Sequence, residues 1–127
     1  MGLLSKAIRI LLFISMLIST FSYSEEKLNM GTVGWLVNAC NPLSNDANLQ
    51  QAYDIGYCHG AIGNSIGYLY VIQSDPKYGI EIPNNINVKQ LKAVFTKWAK
   101  NNPEKWHVEE HIGIILASKE AFPYKLK

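Results

Sequence analysis

DIGYCHGAIGNSIGYLYVIQ, residues 54–73, is the stretch on which the fold turns. Its apolar positions Ile55, Cys58, Ile62, Ile66 and Leu69 recur every three or four residues, the spacing of a helix with one face in a core. Beside them runs a second stripe, Gly56, Gly60, Gly63 and Gly67, again three or four apart. A glycine in a helix interior costs about 1 kcal/mol relative to alanine. Four on one face are useful where another backbone must come close, so a partner helix is expected against them. Ser44 or Asp46 can cap this helix at its start, and Asp75-Pro76 ends it. The β-branched and aromatic residues of 67–72 leave a short strand as the competing reading of its last turns.

Outward from this helix, the pattern is the same. Thr32 is a plausible N-cap for a short helix through Trp35, Leu36, Val37 and Cys40, stopped by Asn41-Pro42. Residues 75–87 form a loop. Asn87 followed by Gln90 has the form of a capping box, with Ile86 placed to staple against Leu91. Leu91, Val94, Phe95 and Trp98 give that third helix its apolar side, and Lys89, Lys92, Lys97 and Lys100 are distributed around its polar side. Asn102 and Pro103 are read as the cap and first position of a fourth helix, with an apolar face of Val108, Ile112, Ile115 and Leu116. Four helices without βαβ alternation indicate an all-α fold, a small four-helix bundle in one domain.

The chain has 127 residues, 48% hydrophobic and 17% charged, too apolar and too weakly charged for a disordered chain. Residues 1–24 have the three parts of a secretory signal peptide. Lys6 and Arg9 precede an apolar run, and Ser22-Tyr23-Ser24 supplies small side chains for cleavage. The run is well short of the roughly 20 residues that span a bilayer. The mature domain is then expected to be residues 25–127, with no membrane association after cleavage. Without the leader, ten lysines match ten carboxylates and no arginine remains. Such a body lacks the clustered Lys and Arg that phosphate neutralisation requires, which argues against nucleic acid as a partner. In an oxidising compartment Cys40 and Cys58 are most simply read as one disulfide, worth about 3 kcal/mol on the chain-entropy estimate.

Catalytic signals are weak. His107-Val108-Glu109-Glu110-His111 fits the inverted zinc-protease string H-x-x-E-H, and two histidines four apart on a helix share a face. A protease would also need a third ligand and a substrate cleft. A nucleophilic Cys58 beside His59 fails on geometry, since helical neighbours point about 100° apart. Phosphate-cradling loops, paired carboxylates across a cleft and a serine triad are not suggested. No enzyme, no metal and no cofactor is expected.

The order of residues resembles the Rap1a/Tai immunity protein family. The resemblance rests on a leader and a short helix ending in Cys40, then Gly56-Tyr57-Cys58-His59-Gly60, then Ile82-Pro83. The helix with Leu91, Val94 and Trp98 follows, then Pro103-Glu104 with His107, and Ala121-Phe122-Pro123. Where members often carry a further cysteine pair, this chain has Glu81 and Tyr124, so the 75–87 loop is expected to be untied from the C-terminus and more mobile. The resemblance implies a periplasmic antitoxin that binds and sterically blocks a peptidoglycan amidase delivered by type VI secretion. A protruding loop would cover the toxin's cleft. Tyr78, Glu81, Asn84 and Asn85 are the candidate contact residues, and the family's habit implies a possible homodimer through the glycine stripe. The alternatives are a periplasmic binding or chaperone-like module and an inhibitor of another cell-wall hydrolase.

Overall fold

A computed structural model describes Gly2 and residues 29–125. Apart from Gly2, the expected signal peptide lies outside the described residues. Among those described are four α-helices, α1 Val33–Ala39, α2 Leu49–Ile72, α3 Val88–Asn101 and α4 Glu110–Ala121, and two single 3₁₀ turns, Pro76–Tyr78 and Pro103–Lys105. The only extended pairings among them are two isolated bridges, Thr32 with Glu109 and Ile80 with Pro123. The four-helix all-α reading is therefore correct. Residues 67–72 are helical, continuing a stripe whose Leu69 and Ile72 are buried.

Thr32 caps α1 through its side chain, and Asn87 with Gln90 forms the expected capping box of α3. The cap of α2 is different. Asn48, with Gln51, makes a second capping box, and neither Ser44 nor Asp46 is the N-cap. The fourth helix also departs from expectation. Pro103 opens only a 3₁₀ turn, and α4 begins at Glu110. The reason lies around α1, whose first N–H groups have no partner within the helix. Val33 donates to the Val108 carbonyl at 2.8 Å and Gly34 to that of Trp106 at 3.0 Å, while Glu110 donates to the Gly31 carbonyl at 2.8 Å. Residues 106–109 stay non-helical because their carbonyls cap another helix. Asn102 turns back instead, its amide donating to the Trp98 carbonyl at 2.8 Å and closing α3.

The core gathers Leu36 of α1, Ile62 and Leu69 of α2, Leu91 and Phe95 of α3 and Ile114 of α4, all essentially without exposure. On α2 the buried side is the predicted stripe, Cys58, Ile62 and Leu69, with Ile66 packed beside them. On the fourth helix segment the predicted face is half right, since Val108 and Ile115 pack partly buried against the core. Gly113, Ile114, Ala117 and Ser118 are buried, whereas Ile112 and Leu116 are exposed. This helix is apolar all round, so its periodicity does not distinguish inside from outside. Ser118 is accommodated because its hydroxyl donates to the Ile114 carbonyl at 2.7 Å.

Candidate functional site

Three features of this scaffold bear on function: a fastened seam beneath α1, a loop end at residues 75–87, and the outward faces of α2 and α3. The seam holds the expected disulfide. Cys40 and Cys58 are bonded, with Cα atoms 5.2 Å apart, joining the end of α1 to the middle of α2. Next to it the Trp35 ring meets Tyr57 edge to face, with centroids 4.6 Å apart. The Tyr57 hydroxyl donates to Glu110 Oε1 at 2.8 Å, linking α2 to the start of α4. Burial, and then the hydrogen bond and negative charge of Glu110, push the Tyr57 hydroxyl up to about 12. The sequence reading missed this pair. Its signal was present, since Tyr57 adjoins Cys58 within the segment that carries the family resemblance.

The loop end is better tied than expected. The Ile80–Pro123 bridge places Glu81 N–H on the Phe122 carbonyl at 2.9 Å and Tyr124 N–H on the Gly79 carbonyl at 3.0 Å. Ile82 N–H donates to Gln73 Oε1, and the Tyr70 hydroxyl donates to the Pro83 carbonyl, both at 2.8 Å. Ile80 and Ile82 are buried, so alternate residues of the segment plug into the core while Glu81 points outward. The expectation that this loop is untied from the C-terminus is corrected: backbone hydrogen bonds hold it where a cysteine pair is absent. Glu81 and Tyr124 line one shallow groove of about 450 Å³, with Asn84 on its rim.

Of the candidate contact residues, Glu81, Asn84 and Asn85 are exposed and lie together on this end. Tyr78 differs. It is half-buried against the core, and Lys77 Nζ lies 4.9 Å from its ring centroid. Lys77 also sits 2.8 Å from Asp75, and that side-chain hydrogen bond holds the Asp75 carboxyl below its ordinary value. Gly79 takes the left-handed conformation, φ 63°, that closes this turn. Tyr78 therefore belongs partly to the scaffold of the loop.

Among the described residues, the glycine stripe meets another helix at one position only. A Cβ at Gly56, Gly60 or Gly67 would touch nothing within 4 Å, and one at Gly63 would make an ordinary 3.7 Å contact with Val88. The expected partner helix is met only at Gly63, by the first residue of α3, and Gly56, Gly60 and Gly67 are open among the described residues. Close approach occurs at Gly113 instead, where a Cβ would overlap Val33 Cγ2 and lie 3.4 Å from the Trp98 ring. The H-x-x-E-H string is likewise divided by the fold. His107 is exposed in the turn before α4 and His111 is in the helix, so the two do not share a helix face. Glu109 Oε2 lies 3.5 Å from His111 Nε2, both largely in solvent.

On its outward face, α3 carries Lys89, Lys92, Lys97 and Lys100 along a groove of about 610 Å³ against Asn41 and Pro42. No helix among the described residues is long and apolar enough to cross a membrane. A family model for Rap1a immunity proteins matches residues 32–124. No curated protein and no solved structure matches the chain.

Proposed function

The chain belongs to the Rap1a immunity protein family, and from that membership we propose that it is the periplasmic immunity protein of a peptidoglycan amidase delivered by type VI secretion. The family match, running from the cap of α1 to the residue after the C-terminal bridge, carries this reading. Residues 1–24 serve as the signal peptide and residues 25–127 as the mature domain. Action is by obstruction. The exposed residues Glu81, Asn84 and Asn85, with Tyr78 behind them, meet the toxin and keep substrate from its catalytic centre; this chain turns over nothing itself.

The scaffold suits that task. A plug must hold its contact residues without a large ordering cost on binding. Here the contact end is anchored by two buried isoleucines and hydrogen-bonded to the C-terminal segment. In the same reading the open glycines of α2 are where a second copy of the chain approaches closely; a monomer in sedimentation equilibrium would remove that part.

Periplasmic co-expression with a candidate peptidoglycan amidase effector of type VI secretion tests the proposal. Cells making both are expected to grow, and cells making the effector alone to lyse. Equal lysis with and without this protein contradicts the immunity role.

A further inference from the structure

The lysines of α3 have no role inside the fold. Between Glu81 and Glu104 the sequence carries four lysines and no carboxylate. At about 100° per residue, Lys89, Lys92, Lys97 and Lys100 fall within an arc of about 140°, and at about 1.5 Å per residue they extend over about 16 Å. The side opposite carries the buried Leu91, Phe95, Trp98 and Ala99, so the lysine side faces out. Among the described residues, none of the four ammonium groups forms a salt bridge.

Helix physics does not reward this arrangement. Lys89 and Lys92, like Lys97 and Lys100, are like-charged neighbours at i and i+3, a destabilising spacing. Lys89 is also the second residue of α3, near the positive end of the helix dipole, where a carboxylate would be preferred. Only Lys100, in the last turn, suits its position. A positive row that opposes the helix carrying it is explained by something outside the chain.

Its position relative to the loop end says what. An interface of ordinary size takes about 20–30 residues a side, far more than the exposed loop residues supply. Asn85 is followed after one residue by the cap Asn87 and then by Val88 and Lys89 at the start of α3. A partner seated over the loop therefore continues along the lysine row. The row lies against a groove whose wall is Asn41 and Pro42 at the end of α1, and Ala93 and Thr96 lie between the lysines. Along the lysine row itself no large apolar side chain is exposed, and beside the groove wall only Leu43 is, too little apolar surface for a lipid-inserting face, which favours a protein partner over a membrane.

Resting on the immunity reading, we infer that the lysine row of α3 is the electrostatic half of the effector-binding face, taking an acidic surface of the effector beside the loop contact. Charges at the rim of an interface act chiefly on the association rate and its salt dependence. The row then steers the encounter while the loop residues determine how long the complex lasts.

The test is association of the purified mature protein with the amidase effector that it protects against in the co-expression experiment, followed by stopped flow from 50 to 500 mM NaCl. For wild type the association rate is expected to fall about tenfold or more over this range. In Lys89→Glu/Lys97→Glu it is expected to be about tenfold lower at 50 mM and nearly independent of salt, with dissociation changed less than about threefold. The neutral variant Lys89→Gln/Lys97→Gln should fall between. Both variants should keep or raise the thermal midpoint, since they relieve repulsion, so misfolding does not account for a slower encounter. Lys105→Glu, in the 3₁₀ turn after α3, controls for charge reversal outside the row.

Wild-type association independent of salt, variant rates within threefold of wild type, or an equal loss in Lys105→Glu each overturns the inference. So does lysine-dependent sedimentation with phosphatidylglycerol-containing vesicles together with unchanged effector kinetics, which assigns the row to a membrane. Wild type that does not bind the effector removes the immunity reading itself, and the inference with it.

Discussion

The seam beneath α1 and the outer face of α2 use glycine in opposite ways. At the seam, Gly113 of α4 is buried against Val33, and the space for any side chain is already taken by Val33, Trp98 and Phe95. On the outer face of α2, a Cβ at Gly56, Gly60 or Gly67 would meet nothing within 4 Å among the described residues. The same residue type marks a required close approach in one place and an unoccupied surface in the other. Glycine spacing alone therefore predicts no contact; the neighbouring elements decide it. The lysines of α3 belong with the outer glycines, since both lower the stability of the helix that carries them without any return from within the chain.

The contrast can be broken most forcibly at the seam. Replacing Cys40 and Cys58 together by serine should cost about 3 kcal/mol, read as a lower midpoint in urea denaturation. Stability unchanged by that replacement would mean that the α1–α2 junction is held by packing alone. A smaller loss is expected from Gly113→Ala, about 1–3 kcal/mol from overpacking against Val33, less the gain of alanine in a helix. Gly60→Ala should have the opposite sign, stabilising by about 1 kcal/mol and raising the thermal midpoint. Equal effects of these two alanines on stability would dissolve the distinction between seam and outer face.

The seam also carries a pH signature. With Tyr57 held up to about 12 in the folded state and ordinary tyrosine near 10 when unfolded, the folded state keeps its proton over that interval while the unfolded state releases it. Stability from this group is fully present below about pH 10 and is lost as pH rises towards about 12. Tyr57→Phe should flatten that decline in a series of denaturation curves. The smallest effect on stability belongs to the exposed loop end. Glu81→Ala, Asn84→Ala and Asn85→Ala together should leave the folding free energy within about 0.5 kcal/mol, while shortening the lifetime of the effector complex in the same stopped-flow assay.

Much of this fold was legible in the chain. Helix α3 was read to its capping box because Asn87 and Gln90 act locally, and the inner face of α2 was read from Cys58, Ile62 and Leu69. What local pattern did not contain was the interaction between distant segments. Residues 106–109 stay out of a helix because they cap α1, an arrangement with no trace in their own composition. Helix α4 has apolar residues on every side, so only its neighbours select Gly113 and Ile114 as the inner ones. The tie between residues 79–81 and 122–124 is made by backbone atoms, to which side-chain spelling is blind. At the loop end, Glu81, Asn84 and Asn85 are proposed contacts because the resemblance implies a protruding loop, and the structure adds that they are exposed. Tyr78 was read as a contact when its ring packs partly inward, and the four lysines were counted without the groove that aligns them.

Inhibition in a purified system bears most directly on the immunity role. Peptidoglycan hydrolysis by the proposed amidase effector should be abolished as the mature protein is titrated to one equivalent. Hydrolysis continuing at the full rate in a tenfold excess of correctly disulfide-bonded protein would contradict it.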